Sequence, residues 1–185
     1  QLVSLTKKAQ CDPSTGLMQQ ISFDRCLIDQ WSQATENGDS LALMLVEIDD
    51  YDQIQETWGS LLAQKVLVGV AHGLRSVLGK SIPFARYDSC RFAALWQGAS
   101  EEETLIAAEA CRLVTAAHTE SDQSHRVEVT GSIGLSHCRP FADRTVQWRD
   151  LLRSAESAVK EAKGAGGNQV LVKPLSIEVA RKRAK

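Results

Sequence analysis

The chain has 185 residues, enough for one domain built around a single sizeable core. Apolar residues make up 43% and charged residues 24%, and a formal charge of −2 gives no reason to expect a nucleic acid or an anionic membrane as partner. No apolar run approaches the roughly 20 residues that span a bilayer, and the start carries no signal-peptide pattern.

Residues 1–11 set Leu2 and Leu5 on a polar background, as the end of a helical linker does. Asp12-Pro13-Ser14-Thr15-Gly16 then places a proline and capping-type residues ahead of an apolar-periodic stretch. Ile21, Phe23, Leu27, Ile28 and Trp31 recur at helical spacing and predict a helix that Glu36-Asn37-Gly38-Asp39 closes. The continuous apolar run from Leu41 to Ile48 is expected to be a central strand buried on both faces, ending in the acids Glu47, Asp49, Asp50 and Asp52. A second helix follows over 60–78, carried by Leu61, Leu62, Val66, Leu67, Val70 and Leu74 and weakened by Gly69 and Gly73.

Two short strands, Ile82 to Tyr87 and Phe92 to Trp96, flank the polar Asp88-Ser89-Cys90-Arg91 as a hairpin does, without an Asn-Gly or Gly-Gly turn. Ser100 reads as an N-cap, and Glu101, Glu102 and Glu103 as the acidic first turn of a helix reaching about His118. Residues 119–125 read as a polar loop and Val127 to Leu135 as one strand. Trp148 to Lys163 reads as an amphipathic helix stopped by Gly164-Ala165-Gly166-Gly167-Asn168, and Val170 to Val172 as a short last strand. Strands and helices that alternate around one hairpin imply an α/β (or α+β) domain with a mixed sheet.

Cys11, Cys26, Cys90, Cys111 and Cys138 are scattered and form no CxxC pair, so a reducing cytosolic setting fits better than a zinc site or a disulfide framework. Cys90 reads as an unremarkable turn thiol, the alternative being a reactive one with its pKa lowered by Arg86 and Arg91. His72, His118, His125 and His137 share no ligand spacing. The first residue is Gln1 rather than Met, which is read as a piece of a longer protein. The basic Arg181-Lys182-Arg183-Ala184-Lys185 reads as a solvated linker or helix start.

Four segments, in order and covering nearly the whole chain, resemble the GGDEF family. Asp12-Pro13-Ser14-Thr15-Gly16-Leu17 resembles its opening DPLTGL, and Leu45-Val46-Glu47-Ile48-Asp49-Asp50-Tyr51 its LDIDxF. Ala85-Arg86-Tyr87 and Phe92 frame the signature hairpin, usually ARYGGDEF, which here reads Asp88-Ser89-Cys90-Arg91-Phe92. Ser132-Ile133-Gly134 and Ala162-Lys163-Gly164-Ala165-Gly166-Gly167-Asn168 resemble the SIG strand and the KxxGRN ending. The resemblance implies a cyclase/polymerase-palm-like domain: a five-stranded mixed sheet flanked by helices, with the hairpin beside the end of the first strand. In active members it implies two domains face to face. Each holds GTP with two divalent metals, and each 3′-hydroxyl attacks the other nucleotide's α-phosphate.

The residues at the implied site depart from that chemistry. Glu47, with Ile48 beside it, stands where the resemblance implies a metal-ligating Asp, and its extra methylene moves the carboxylate by about 1.5 Å. The second ligand position is Cys90, a soft thiol, and the next acidic position is Arg91, which reverses the charge. Asp88 and Ser89 replace the two glycines that let a nucleotide come close, and the turn should aim the Asp88 carboxylate elsewhere. Gln55 and Gln64 match the guanine-reading Asn and Asp, Asp52 replaces a lysine near the phosphates, and Gly167 replaces the arginine of GRN. Lys163 alone remains of the basic phosphate ligands. Gly79-Lys80-Ser81-Ile82 lies at the spacing of the RxxD inhibitory motif and has neither of its charges, which leaves only an unsupported mode through Arg75, Lys80 or Arg86.

The expectation is therefore a catalytically inactive domain over 12–173, after a linker at 1–11 and before a tail at 174–185. It would bind no Mg²⁺ or GTP and hold no cyclic di-GMP at an inhibitory site. It would serve as a cytoplasmic regulatory or dimerisation module of a bacterial cyclic di-GMP signalling protein, alone or as the cytoplasmic part of a membrane-anchored one. The expected partners are a sensor or EAL domain of the same chain, a separate protein, or a second copy. The alternative is a non-catalytic sensor of GTP or cyclic di-GMP.

Overall fold

A computed structural model describes residues 11–121, 126–141, 146–173 and 175. The linker at 1–10, His125 with the rest of 122–125, and the tail at 174 and 176–185 lie outside the described residues. In chain order the elements are β1 (Met18–Gln19), α1 (Gln20–Asn37), β2 (Leu41–Ile48), α2 (Tyr51–Trp58), α3 (Ser60–Leu78), β3 (Phe84–Arg86) and β4 (Arg91–Gln97). They continue as α4 (Glu101–Ala116), β5 (Thr119–Ser121), β6 (Arg126–Glu128), β7 (Gly131–Cys138), α5 (Trp148–Gly164) and β8 (Val170–Val172).

The main sheet has the order β1-β3-β4-β2-β7-β8. β2 pairs antiparallel with both β4 and β7, while the edge pairs β1–β3 and β7–β8 are parallel. β2 is the central strand because its alternating side chains are apolar on both sides. Ala42, Met44, Val46 and Ile48 join the layer under α2, α3 and α4, whereas Leu41, Leu43 and Leu45 join the layer under α1 and α5. The molecule is thus helix, sheet, helix, with two cores divided by the sheet.

The sheet has six strands rather than five, because Met18–Gln19 adds a two-residue edge beside β3. Val127 to Leu135 is two strands rather than one. β6 pairs with β5 in a separate ribbon inside the expected loop, and β7 begins afresh at Gly131. Period-two alternation runs through Val127, Val129, Ile133 and Leu135 alike, all buried, so the pattern carries no mark of the change of sheet.

α1 starts at Gln20 with Gln19 as an N-cap lacking a side-chain bond, so Asp12–Gly16 is not its cap. Of its expected apolar face, Phe23 and Leu27 are buried, while Ile21 and Ile28 are exposed. α4 has the expected cap. Ser100 Oγ accepts from Glu103 N at 3.1 Å, and Glu103 Oε2 accepts from Ser100 N at 2.8 Å. α3, at 19 residues, is long and apolar enough by composition to cross a bilayer, although polar residues interrupt its apolar runs. Here it is a core helix that buries Leu62, Ala63, Val66, Leu67, Val70, Ala71, Leu74 and Leu78. Its Gly69 is a packing position, since a Cβ there would lie 2.1 Å from His118 Cε1.

Gly134 sets how α5 sits. A Cβ on it would lie 2.2 Å from Ala155 O and 2.6 Å from Val159 N, so the α5 backbone rests directly on β7. That contact fixes where Lys163, in the last turn of α5, meets the end of β2.

Candidate functional site

The hairpin between β3 and β4 closes without glycine because Asp88 folds back on it. Tyr87 N donates to Arg91 O at 2.7 Å, and Asp88 Oδ1 accepts from Cys90 N at 3.1 Å and Arg91 N at 3.0 Å. Asp88 Oδ2 also takes Arg91 Nε, so both oxygens are spent inside the turn, as an Asx-type turn requires. Arg86 holds the outer side. Its Nε donates to Asp88 O at 3.1 Å and its Nη2 to Ser89 O at 3.2 Å, while Nη1 reaches Asp12 Oδ2 at 3.1 Å and Ser14 Oγ at 3.0 Å. The Asp12–Gly16 turn is therefore a strut for the hairpin. Burial pushes the Asp12 carboxyl up, but the bonds from Ser14 and Thr15 and the Arg86 charge outweigh it and hold the pKa below its ordinary value.

At the end of β2, Glu47 lies directly opposite Arg91 in the ladder. From α5, Lys163 Nζ donates to Glu47 Oε1, and that bond raises the Lys163 pKa. Arg91, Glu47 and Lys163 line an open cleft of about 520 Å³ with Glu156, Val159 and Lys160, and Asp88 holds Arg91 from the turn. Cys90 turns the other way and packs, half-buried, against the core under α2 and α3. Burial first, then the Glu47 charge, push its thiol up. The thiol is therefore an unactivated turn cysteine, and the guanidinium groups of Arg86 and Arg91, which would lower its pKa, are bonded to Asp12 and Asp88 instead.

Behind Glu47, the buried Asp49 gathers three segments. Its Oδ1 accepts from Ser132 Oγ at 2.7 Å, and its Oδ2 accepts from Thr130 Oγ1 at 2.7 Å and Asn168 N at 2.9 Å. Gly167 stands at φ 74°, and a Cβ there would lie 3.0 Å from Asp49 Oδ2. A bulkier residue with this backbone would be strained and would press on the carboxylate. Asp50 follows at φ 51°, an uncommon conformation for a residue with a side chain, and starts α2.

The structure brings Glu47, Asp88, Arg91 and Lys163 into one network and ties the Ile48 backbone to it, Ile48 N donating to Cys90 O at 3.1 Å. Ser89 is exposed at the tip, with its carbonyl held by Arg86. Asp52 and Gln55 are exposed on α2, and Gln64 is half-buried on α3; none of the three lines the cleft. Among the described residues no three His, Cys, Asp or Glu side chains lie close enough to hold a metal ion. Arg75 is occupied, its Nη1 donating to Gly79 O at 2.8 Å and Ile82 O at 3.0 Å and its Nη2 to Phe84 O at 3.3 Å.

Sequence reasoning named Asp49 only as one of the acids at the strand end and passed over Glu156 and Lys160. The spacing of Glu156, Lys160 and Lys163 places them on one face of α5 and was a usable signal; nothing local separates Asp49 from its acidic neighbours.

The family model for the diguanylate cyclase GGDEF domain matches residues 9–169. The chain belongs to the GGDEF family. It is 24% identical over 162 residues to a probable diguanylate cyclase, DgcC, of Escherichia coli K12, which covers 87% of this chain and 42% of that protein. It is 26% identical over 166 residues to the cyclic di-GMP phosphodiesterase NbdA of Pseudomonas aeruginosa, covering 89% of this chain and 21% of that one. The chain therefore spans less than half the length of these curated relatives. Its fold matches the coiled coil and GGDEF domain of DgcB from Caulobacter crescentus, solved with c-di-GMP. The TM-score is 0.86 at 22% identity, over 93% of this chain and 90% of that one. This GGDEF domain thus keeps the family's architecture around a hairpin held by its own side chains.

Proposed function

We propose that this GGDEF domain does not make cyclic di-GMP and acts as a regulatory or dimerisation module of a cytoplasmic cyclic di-GMP signalling protein. The observation that carries this reading is the charge network at the hairpin. Mg²⁺ takes hard oxygen donors in near-ideal octahedral geometry and pulls electron density from the reacting phosphate. Here Glu47 is engaged by Lys163, Asp88 by its own turn and Arg91, and Cys90 presents a half-buried thiol. The donors present do not fit the metal, and Arg91 adds positive charge where cations would gather. No step of catalysis is therefore assigned to this chain. Its partners would be a sensor or EAL domain of the same protein, a separate protein or a second copy. The relatives support the signalling context, since a named phosphodiesterase contains a segment like this one over 21% of its length.

The test is turnover. The purified chain is incubated with GTP and either Mg²⁺ or Mn²⁺, and cyclic di-GMP is measured by mass-resolved chromatography. No product above a protein-free blank is expected, and product scaling with protein concentration would overturn the proposal. A second reading, nucleotide binding without turnover, draws on the open cleft with Lys160 and Lys163 on its α5 wall. Calorimetry with GTP and with cyclic di-GMP at millimolar ligand separates the two, because a saturable heat favours the sensor.

A further inference from the structure

α1 buries Phe23, Leu27 and Ala34 in the core layer it shares with α5. Its opposite side carries Ile21, Arg25, Ile28 and Ser32 at the i, i+4, i+7 and i+11 spacing of one stripe, with Asp29 beside it, and all five are exposed. Ile21 is 66% and Ile28 44% open to solvent. Among the described residues the Arg25 and Asp29 side chains form no ion pair and no hydrogen bond. The other acid of this stretch, Asp24, accepts from the Tyr87 hydroxyl.

A groove of about 440 Å³ runs beside the stripe, with Arg25, Cys26, Asp29 and Gln30 in its wall. Gln30 Oε1 is enclosed there and meets no donor among the described residues, while its Nε2 has only Cys26 Sγ at 3.8 Å. An enclosed amide oxygen without a donor is a cost that an incoming N–H would relieve. The face therefore offers one unpaired cation, one unpaired carboxylate and one unpaired acceptor around two exposed isoleucines.

That pattern is its own complement. Arg25 and Asp29 lie about 6 Å apart along the helix. A two-fold axis midway between them sets each Arg25 against the partner's Asp29, so both contacts are attractive. The same axis brings Ile28 and the partner's Ile28 within about 3 Å of each other along the helix direction, at the centre of the contact. A parallel pairing would set like charges together instead. The planar fork of N–H donors on a guanidinium can serve the Asp29 carboxylate and the Gln30 oxygen from one position in the groove.

We propose that α1 is a two-fold contact between two copies of this chain, the helices antiparallel and each Arg25 seated in the partner's groove on Asp29 and Gln30. The contact deepens the dimerisation reading and rests on it for the second copy. It does not depend on whether the hairpin site is inactive.

The test is sedimentation equilibrium on the 185-residue chain across protein concentration, as wild type, as Arg25→Asp, as Asp29→Arg, and as an equimolar mixture of the two variants. Wild type is expected to show a monomer–dimer equilibrium. Each single reversal places like charges at both contacts and should weaken association by at least about tenfold. The mixture should recover wild-type association, because opposite charges meet again at both contacts of the mixed dimer. Ile28→Ala, which removes an exposed side chain at the centre, should also weaken the dimer. Variants that all associate like wild type would overturn the proposal and leave dimerisation to another face. A mixture that stays monomeric would overturn the Arg25–Asp29 pairing. A wild-type chain that is monomeric throughout would overturn this contact and the dimerisation reading together.

Discussion

Asp49 is a polar side chain whose removal should be costly without touching the hairpin. Replacing it by Ala takes the acceptor away from Ser132 Oγ, Thr130 Oγ1 and Asn168 N together. A hydrogen bond to a charged group contributes about 1.5–3 kcal/mol, but three bonds sharing one acceptor are not additive. Ser132 is fully buried, so its hydroxyl cannot turn to water and bears the orphan cost of about 1–3 kcal/mol. Asn168 is exposed and recovers most of its loss from solvent. The sum is a loss of about 3–4 kcal/mol, and about 2 kcal/mol for Asp49→Asn, which keeps one oxygen. A domain of this size holds about 5–15 kcal/mol, so both variants should fold and be measurable by urea titration. In the Asp49→Ala background, Ser132→Ala should cost at least about 1 kcal/mol less than it does alone. An Asp49→Ala midpoint within error of wild type, or no coupling to Ser132, would refute the view that this carboxylate holds β2, β7 and the Gly167–Asn168 turn together.

Two further outcomes follow from contacts already described. Gly134→Ala drives a methyl to 2.2 Å from Ala155 O and 2.6 Å from Val159 N. Both obstacles are backbone, so the loss should reach or exceed the upper end of the usual overpacking range of about 1–3 kcal/mol, and an unchanged urea midpoint would contradict it. Tyr87 is buried and donates to Asp24 Oδ1 at 3.1 Å; burial, then the Asp24 charge, push its phenol up to about 12. The unfolded chain releases that proton near pH 10 while the folded one keeps it. The contribution is therefore complete below about pH 10 and lost between about 10 and 12, on the order of 2 kcal/mol. Tyr87→Phe should flatten the stability curve in that window relative to wild type, and parallel curves would count against the assignment.

The long elements were legible because their signals are local. The Leu41–Ile48 run, the periodicity over 60–78 and the Ser100–Glu103 capping pair each depend on residues within a few turns, and each lies where it was expected. The short elements were not. β1 exists because β3 offers it an edge, and β5 and β6 because they pair with each other. α2 shows too little periodicity in eight residues to stand out. The same division runs through the site. Cys90, Arg91 and Gly167 were recognisable as departures from a family pattern, whereas the upward shift of the Cys90 thiol needed its position against the core.

By itself, then, the sequence determined the family, the central strand, the principal helices and the residues that make the hairpin, since all of these reside in residue type and spacing. Only the tertiary structure decided how the remaining charges are used. It paired Glu47 with Lys163, separated by more than a hundred positions. It spent Asp88 on its own turn and set Arg86 between the hairpin and Asp12. A charge's partner is chosen by which strands and helices meet, and that meeting depends on contacts such as Gly134 under α5, which no local pattern encodes.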